Sequence, residues 1–414
     1  MKKVGKKYVF GLCIASIFVS MICLFGCSGK KKPEIEVALW NLDINNGLYM
    51  EYLAQVESLV PDVKINWVKG QRDIGYYIEL AETDSLPDII SVRKFSMKDS
   101  LDLNPYLLEL TKTEVASAYY DIYLENYRTK DGEIFWIPMS GTVDGIVANK
   151  KLFDEYEIPI PQDFDGFISA CQSFEEHGIR GYSLDFNADY NTLHILQGMG
   201  IDSLSSVDGI AWRKKYENGE TDQLDSKVWM PAFEKIETLN KSGILNEETI
   251  YLEDISTYKD FANGKQAMVN ISSESFSNIF PELELEVLPY FGEKQNFLLT
   301  YPVFNIAISK KVEESNDKKE AAARVLAAMT SQQAQEVLNR YTDGLVSYQR
   351  DISFEYTGSM QIVKPYLESN HTYIRLATKE FFEISQKTLI EMLENHLSAQ
   401  SALDLMNVYL HQSQ

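Results

Sequence analysis

Metal or general-base chemistry in this 414-residue chain would begin at five histidines, His177, His194, His371, His396 and His411. No two of them fall in an H-E-x-x-H or other metal-ligand spacing, so each reads as an ordinary surface or core residue. No glycine-x-serine-x-glycine elbow and no phosphate-binding glycine loop occurs. Asp185, Asn187, Asp189 and Asn191 alternate as in a calcium loop, but Tyr190 stands where the turn glycine belongs and Leu196 where the bidentate glutamate belongs. A glycosidase needs two carboxylates, and with 61 acidic residues a pair is available anywhere, so that requirement selects nothing. Of the four cysteines, Cys171 alone lies beyond residue 27, so an internal disulfide is excluded there. It sits on the stripe Phe164, Phe167, Ile168, Cys171, Phe174, whose helical spacing marks a packing residue rather than a nucleophile.

What remains is recognition without bond making. Trp40 and Asn41 directly follow a strand-like run, and they pair a flat apolar face with a side chain that both donates and accepts. Trp40 reads equally well as core, since its size favours burial. Ser91 and Arg93 close a second such run, where a guanidinium offers forked donors to hydroxyls or a carboxylate. A lone arginine is also a common surface residue.

The elements that position these residues alternate. Glu36 to Trp40 is strand-like, Gly47 to Leu59 is an amphipathic helix, Val63 to Val68 alternates again, Ile74 to Ala81 is helical, and Pro87 to Val92 is a short apolar run. Strands alternating with helices imply mostly parallel sheets covered by helices. Phe135 to Ile137 and Gly145 to Ala148 read as further strands. Asp163 to His177 reads as a helix stopped by Gly178, and the stripe Trp229, Phe233, Ile236, Leu239 as a helix ending at Gly243. From Val312 onward the pattern is nearly all helical, with Thr330 and Gln333 spaced as a capping box.

The N-terminus reads as an export signal: Lys2, Lys3, Lys6 and Lys7 precede 18 nearly apolar residues from Tyr8 to Phe25. Leu24-Phe25-Gly26-Cys27 resembles a lipobox, in which the cysteine is diacylated and becomes the mature N-terminus. An uncleaved membrane-spanning anchor is the alternative. Setting aside the four lysines takes the net charge from −22 to −26, which argues against nucleic acid and against adsorption to an anionic bilayer. A hydrophobic content of 45% excludes a disordered chain.

Several segments together resemble the extracellular solute-binding proteins of the sugar-binding cluster (family 1) that serve ATP-driven importers. Pro87-Asp88-Ile89-Ile90 and Leu103-Asn104-Pro105-Tyr106-Leu107 are similar to consecutive segments of that family. The most specific likeness is the run Asp131-Gly132-Glu133-Ile134-Phe135-Trp136-Ile137-Pro138, continuing to Asn149-Lys150-Lys151-Leu152-Phe153-Asp154. Phe261-Ala262-Asn263-Gly264-Lys265-Gln266-Ala267-Met268, Ala307 to Lys310 with the Ala321 to Met329 helix, and Gly344-Leu345 extend it, with Val346 in place of the family's usual proline. The final 60 residues match only as generic helices.

The resemblance implies a two-lobed periplasmic-binding-protein-like α/β fold of type II, each lobe a mostly parallel sheet flanked by helices, with a helical C-terminal part. The expected division is a signal over 1–27, a tether over 28–33, one lobe from 34–144 with 292–345, and the other from 145–291 with 346–414. Ligand would lie between lobes that close like a hinge. Besides Trp40, Asn41, Ser91 and Arg93, the resemblance points to Ser140 and Thr142 in the cleft-forming turn, to Tyr190, Asn191, Ser273 and Glu274 in the second lobe, and to Tyr301 before the crossing strand. It implies a non-enzymatic monomer without cofactor or metal, lipid-anchored through Cys27 outside the cytoplasm, that captures a small polar solute, a sugar or oligosaccharide, for the transmembrane permease subunits. A lipid-anchored carbohydrate-active enzyme and a binding protein feeding a membrane sensor are the competing readings.

Overall fold

β1 (Glu34–Trp40) carries Val37, Ala38 and Leu39 all buried, as a strand covered on both faces requires. In the computed structural model it pairs in parallel with β2 (Lys64–Gly70) and β3 (Ile89–Val92). The helices Gly47–Leu59 and Gly75–Glu82 make the two crossovers. The structure describes residues 31–40, 42, 47–186, 189–273, 280, 282–293, 295–342, 345–356, 361, 363–369 and 371–412. Asn41, Glu274 and the whole signal with Cys27 therefore lie outside the described residues. Among the described residues no helix is long and apolar enough to cross a membrane.

The first sheet has the order β2, β1, β3, then Asn305–Ile308 and Ile137–Pro138. β10 (Asn305–Ile308) runs antiparallel to both β3 and β4 (Ile137–Pro138). Pro138 is accommodated because β4 is the edge strand, where one amide need not join the ladder. Trp136 lies outside the strand: it is fully buried, with Nε1 donating to Asn104 Oδ1 at 3.2 Å.

The second sheet is organised around β5 (Gly141–Asn149), all nine residues of which are buried. One edge of β5 pairs with β9 (Leu298–Pro302) and then β8 (Leu285–Leu288), the other with β11 (Leu345–Val346) and then β7 (Gln266–Ser272), all antiparallel. Among the described residues, its parallel pairs occur only outside this centre, between β6 (Arg180–Ser183) and β7 and between β12 (Thr372–Ile374) and β9. This sheet is thus mixed rather than mostly parallel, because β5 is a single long strand shared by four partners. Gly141 is needed where β5 begins, since a Cβ there would collide with the Tyr348 hydroxyl.

The chain changes sheet between Pro138 and Gly141, between Pro302 and Asn305, and between Ile308 and Leu345, the last by way of helices. Residues 141–144 and 298–302 belong by pairing to the second sheet, although the sequence pattern grouped them with the first segment. The helices Asn316–Met329 and Gln332–Thr342 return to pack on the Gly47–Leu59 helix. Their junction is capped one residue later than expected: Ser331 Oγ accepts from Ala334 N at 3.3 Å, while Thr330 closes the preceding helix. Cys171 is buried, as its stripe implied, and burial pushes its thiol pKa up.

Hydrophobic residues fall into two core clusters that meet on β5. Val143 and Val147 join the first, and Ile146 and Ala148 join the second. The C-terminal helices Lys379–Glu394 and Ala399–Gln412 pack with the Asp189–Met199 and Ser226–Lys241 helices over the second.

Candidate functional site

Side chains alternate across a strand, so Thr142 and Asp144 share the face of β5 that carries Ile146 and Ala148. Tyr301 of β9 stands directly opposite Thr142 in the ladder. The Asp189–Met199 helix crosses this face and adds Tyr190, Asn191 and His194, with Tyr190 and His194 one turn apart and their rings 6.0 Å from centre to centre. Arg375 follows β12, its amide held by the Thr300 carbonyl at 3.1 Å. These groups line one side of a cavity of about 310 Å³.

The opposite side comes from the first sheet. Arg72 lies two residues beyond the end of β2, and Arg93 and Lys94 directly follow β3, so all three stand at the carboxyl ends of parallel strands, where open α/β sheets bind ligands. The amides of Arg93 and Lys94 both donate to the Arg72 carbonyl, at 3.1 and 3.0 Å. Tyr258, Ile271, Ser272 and Phe382 complete the lining.

A buried ionic cluster forms the floor. Asp144 Oδ2 is 3.1 Å from His194 Nε2 and 3.7 Å from Arg375 Nη1, and Arg375 also contacts His194. Burial alone would raise the Asp144 pKa, but His194, Arg375 and Arg93 together outweigh it and hold the carboxyl below the usual aspartate range. The Tyr301 ring lies between two guanidinium groups, 4.2 Å from Arg375 and 5.1 Å from Arg93. Its hydroxyl donates to the Arg93 carbonyl at 2.6 Å, and burial pushes its pKa up against the pull of those arginines.

Of the residues expected from sequence, Arg93, Thr142, Tyr190, Asn191 and Tyr301 line this cavity. Trp40 stands just behind it, half-buried, with Arg93 5.9 Å from its ring and the edge of Phe304 against it. Ser91, Ser140 and Ser273 are buried within the framework. Ser91 Oγ accepts from Trp40 N at 2.8 Å, Ser140 N donates to Gln335 Oε1 at 3.1 Å, and Ser273 Oγ accepts from Val143 N at 2.9 Å. Asp144, His194, Arg375, Arg72 and Lys94 were missed. The alternation of β5 from Thr142 would have found Asp144, and the helical step from Tyr190 would have found His194. Among the described residues, no group of three histidine, cysteine or acidic side chains is placed to hold a metal.

The family model for bacterial extracellular solute-binding proteins matches residues 44–336. The chain belongs to this family. No curated protein matches it. Among solved structures, this solute-binding protein is similar to a family 1 extracellular solute-binding protein from Bifidobacterium longum subsp. infantis, with a TM-score of 0.77 and 17% identity over 92% of this chain and all of that one. It is similar to apo RafE from Streptococcus pneumoniae, with a TM-score of 0.71 and 13% identity over 93% of this chain and 99% of that one. A sugar transporter protein from Bacillus licheniformis in complex with stachyose follows, with a TM-score of 0.62 and 14% identity over 92% of this chain and all of that one. The two helix-flanked sheets of the family fold are those described above.

Proposed function

We propose that this protein captures a sugar or oligosaccharide in the cavity between its two sheets and delivers it to the transmembrane subunits of an ATP-driven importer. The observation that carries this reading is the lining itself: Tyr190, Tyr301, Tyr258 and Phe382 are interleaved with Asn191, Thr142, Ser272 and arginine side chains, drawn from strands and helices on both sides of the cavity. Rings suit the C–H faces of sugars, and forked donors suit hydroxyls. Sugars held by structurally similar proteins, stachyose and raffinose among them, support it. The two sheets with their helices act as lobes, and closure about the three crossing segments removes water from the ligand. Cys27 carries the lipid that keeps the protein at the outer face of the membrane.

The test is thermal melting against an oligosaccharide panel, combined with chromatography of each sugar afterwards and uptake measurements in cells lacking the gene. Stabilisation by an intact sugar, with its uptake lost in the deletion strain, supports capture for import. Cleavage of the sugar would make the protein an enzyme, and unimpaired uptake would make it a sensor component.

A further inference from the structure

A second cavity, of about 790 Å³, shares no lining residue with the first. Its walls come from the short Asp121–Leu124 helix with Tyr120 before it, from the segment that follows β11, and from the Val363–Glu368 helix. A row of rings leads to it from the start of β5. The Tyr348 hydroxyl stands against Gly141, the Tyr348 and Tyr123 ring centres are 4.7 Å apart, and those of Tyr123 and Tyr120 are 6.2 Å apart. The Tyr123 hydroxyl is fixed 2.7 Å from Thr372 Oγ1, whereas Tyr120 is 37% exposed and open to solvent. Phe354 and Tyr356 add two further rings to the lining.

The charged side chains of this lining balance, Arg350 and Lys364 against Glu355 and Glu368. Arg350 is also held in place: Nη1 donates to the Ser117 carbonyl at 2.7 Å, Nη2 is 3.6 Å from Asp121, and the guanidinium lies 5.7 Å from the centre of the Tyr120 ring. Lys364 is 3.8 Å from Glu368, one turn further along its helix. A charged guest of either sign would meet a group of its own sign here. A neutral polyol meets donors, acceptors and rings together, in a space large enough to enclose a small ligand.

We propose that this second cavity is a binding site for a neutral saccharide, with Tyr120 and Tyr356 supplying rings for its C–H groups and Arg350, Gln361 and Glu355 meeting its hydroxyls. The site goes beyond capture in the first cavity and does not rest on it, because the two linings are separate.

The experiment is titration calorimetry on the full chain in detergent, with raffinose, stachyose, maltotetraose and xylotetraose as probes. The parent is compared with Tyr120→Ala, Tyr120→Phe and Tyr190→Ala, the last of which alters the first cavity alone. The expected result is that at least one probe binds at a site weakened at least about fivefold by Tyr120→Ala, restored by Tyr120→Phe, which keeps the ring, and unaffected by Tyr190→Ala. Because Tyr120 is exposed, its variants should melt close to the parent, which separates a lost contact from a lost fold. Affinities that all fall in Tyr190→Ala and none in Tyr120→Ala would overturn the second site and leave sugar capture standing. Affinities that all fall in Tyr120→Ala and none in Tyr190→Ala would support the second site and count against the first. Binding of none of the probes would overturn both readings.

Discussion

Nε2 of His194 lies 3.1 Å from Oδ2 of Asp144, with both side chains about 95% withdrawn from solvent. A buried carboxylate held by His194 and by the Arg375 guanidinium stabilises the fold only together with them, since removing it leaves the buried guanidinium without compensation. Asp144→Asn should therefore cost roughly 3 kcal/mol or more, read as a drop of several degrees in melting temperature. The sign of the pH dependence follows from the depressed carboxyl: its contribution is present above the ordinary aspartate value of 3.8 and is lost as pH falls through the lower folded value. Thermal melts between pH 3 and pH 5 should show a shallower acid slope in Asp144→Asn than in the parent. Identical slopes would mean that the cluster does not carry the carboxylate's stabilisation.

A second set of contacts joins the short Met97–Ser100 helix to the Val207–Glu217 and Lys379–Glu394 helices. Lys98 Nζ is 2.5 Å from Glu380 Oε1, Met97 N donates to Glu217 Oε2 at 2.7 Å, and Lys379 N donates to Asp99 Oδ2 at 3.1 Å. If the lobes open and close, these are closed-state contacts. Lys98→Met should weaken ligand binding by about 1 kcal/mol, roughly fivefold, and raise the radius of gyration seen by small-angle scattering at subsaturating ligand. Unchanged scattering and affinity would show that the pair is incidental to closure.

Trp40 occupies a position between cavity and core. Because its ring touches Arg93 and Phe304 and is half-buried, Trp40→Ala should cost about 1 to 2 kcal/mol of stability, less than the 3 to 5 kcal/mol typical of a fully enclosed tryptophan. It should also lower affinity by loosening Arg93. A collapsed melting temperature would place Trp40 in the core, and normal affinity would show that Arg93 is positioned without it.

The anchor is tested separately. Cys27→Ser removes the thiol that a lipid would modify and should release the protein from membranes into the soluble fraction. Equal membrane retention in the variant would make the apolar N-terminal segment a spanning helix.

The legible parts of this fold were those governed by local periodicity and caps. The β1 to β3 unit, the Asp163 cap with its 2.7 Å bond to Gly166 N, and the stops at Gly178 and Gly243 with φ of +74° and +76° all follow from neighbouring residues alone. What escaped depends on partners distant in sequence. β12 is three residues long and exists because β9 offers it an edge, so the tail around it read as helical and Arg375 went unnoticed. Asp144 was hidden for a related reason. A carboxylate in an otherwise apolar strand looks like the strand's end, and only the packing of His194 and Arg375 against it explains its place in the middle. The pairing of β9 with β5 likewise depends on register and not on composition.

The tie between the two cation-bearing loops of the first sheet is made by main-chain atoms, from the amides of Arg93 and Lys94 to the carbonyl of Arg72. Side-chain identity at 72 and 94 is therefore decoupled from loop shape. Divergence at these two positions can invert the electrical character of the rim, from cationic to neutral or acidic, while the scaffold that holds the loops stays as it is.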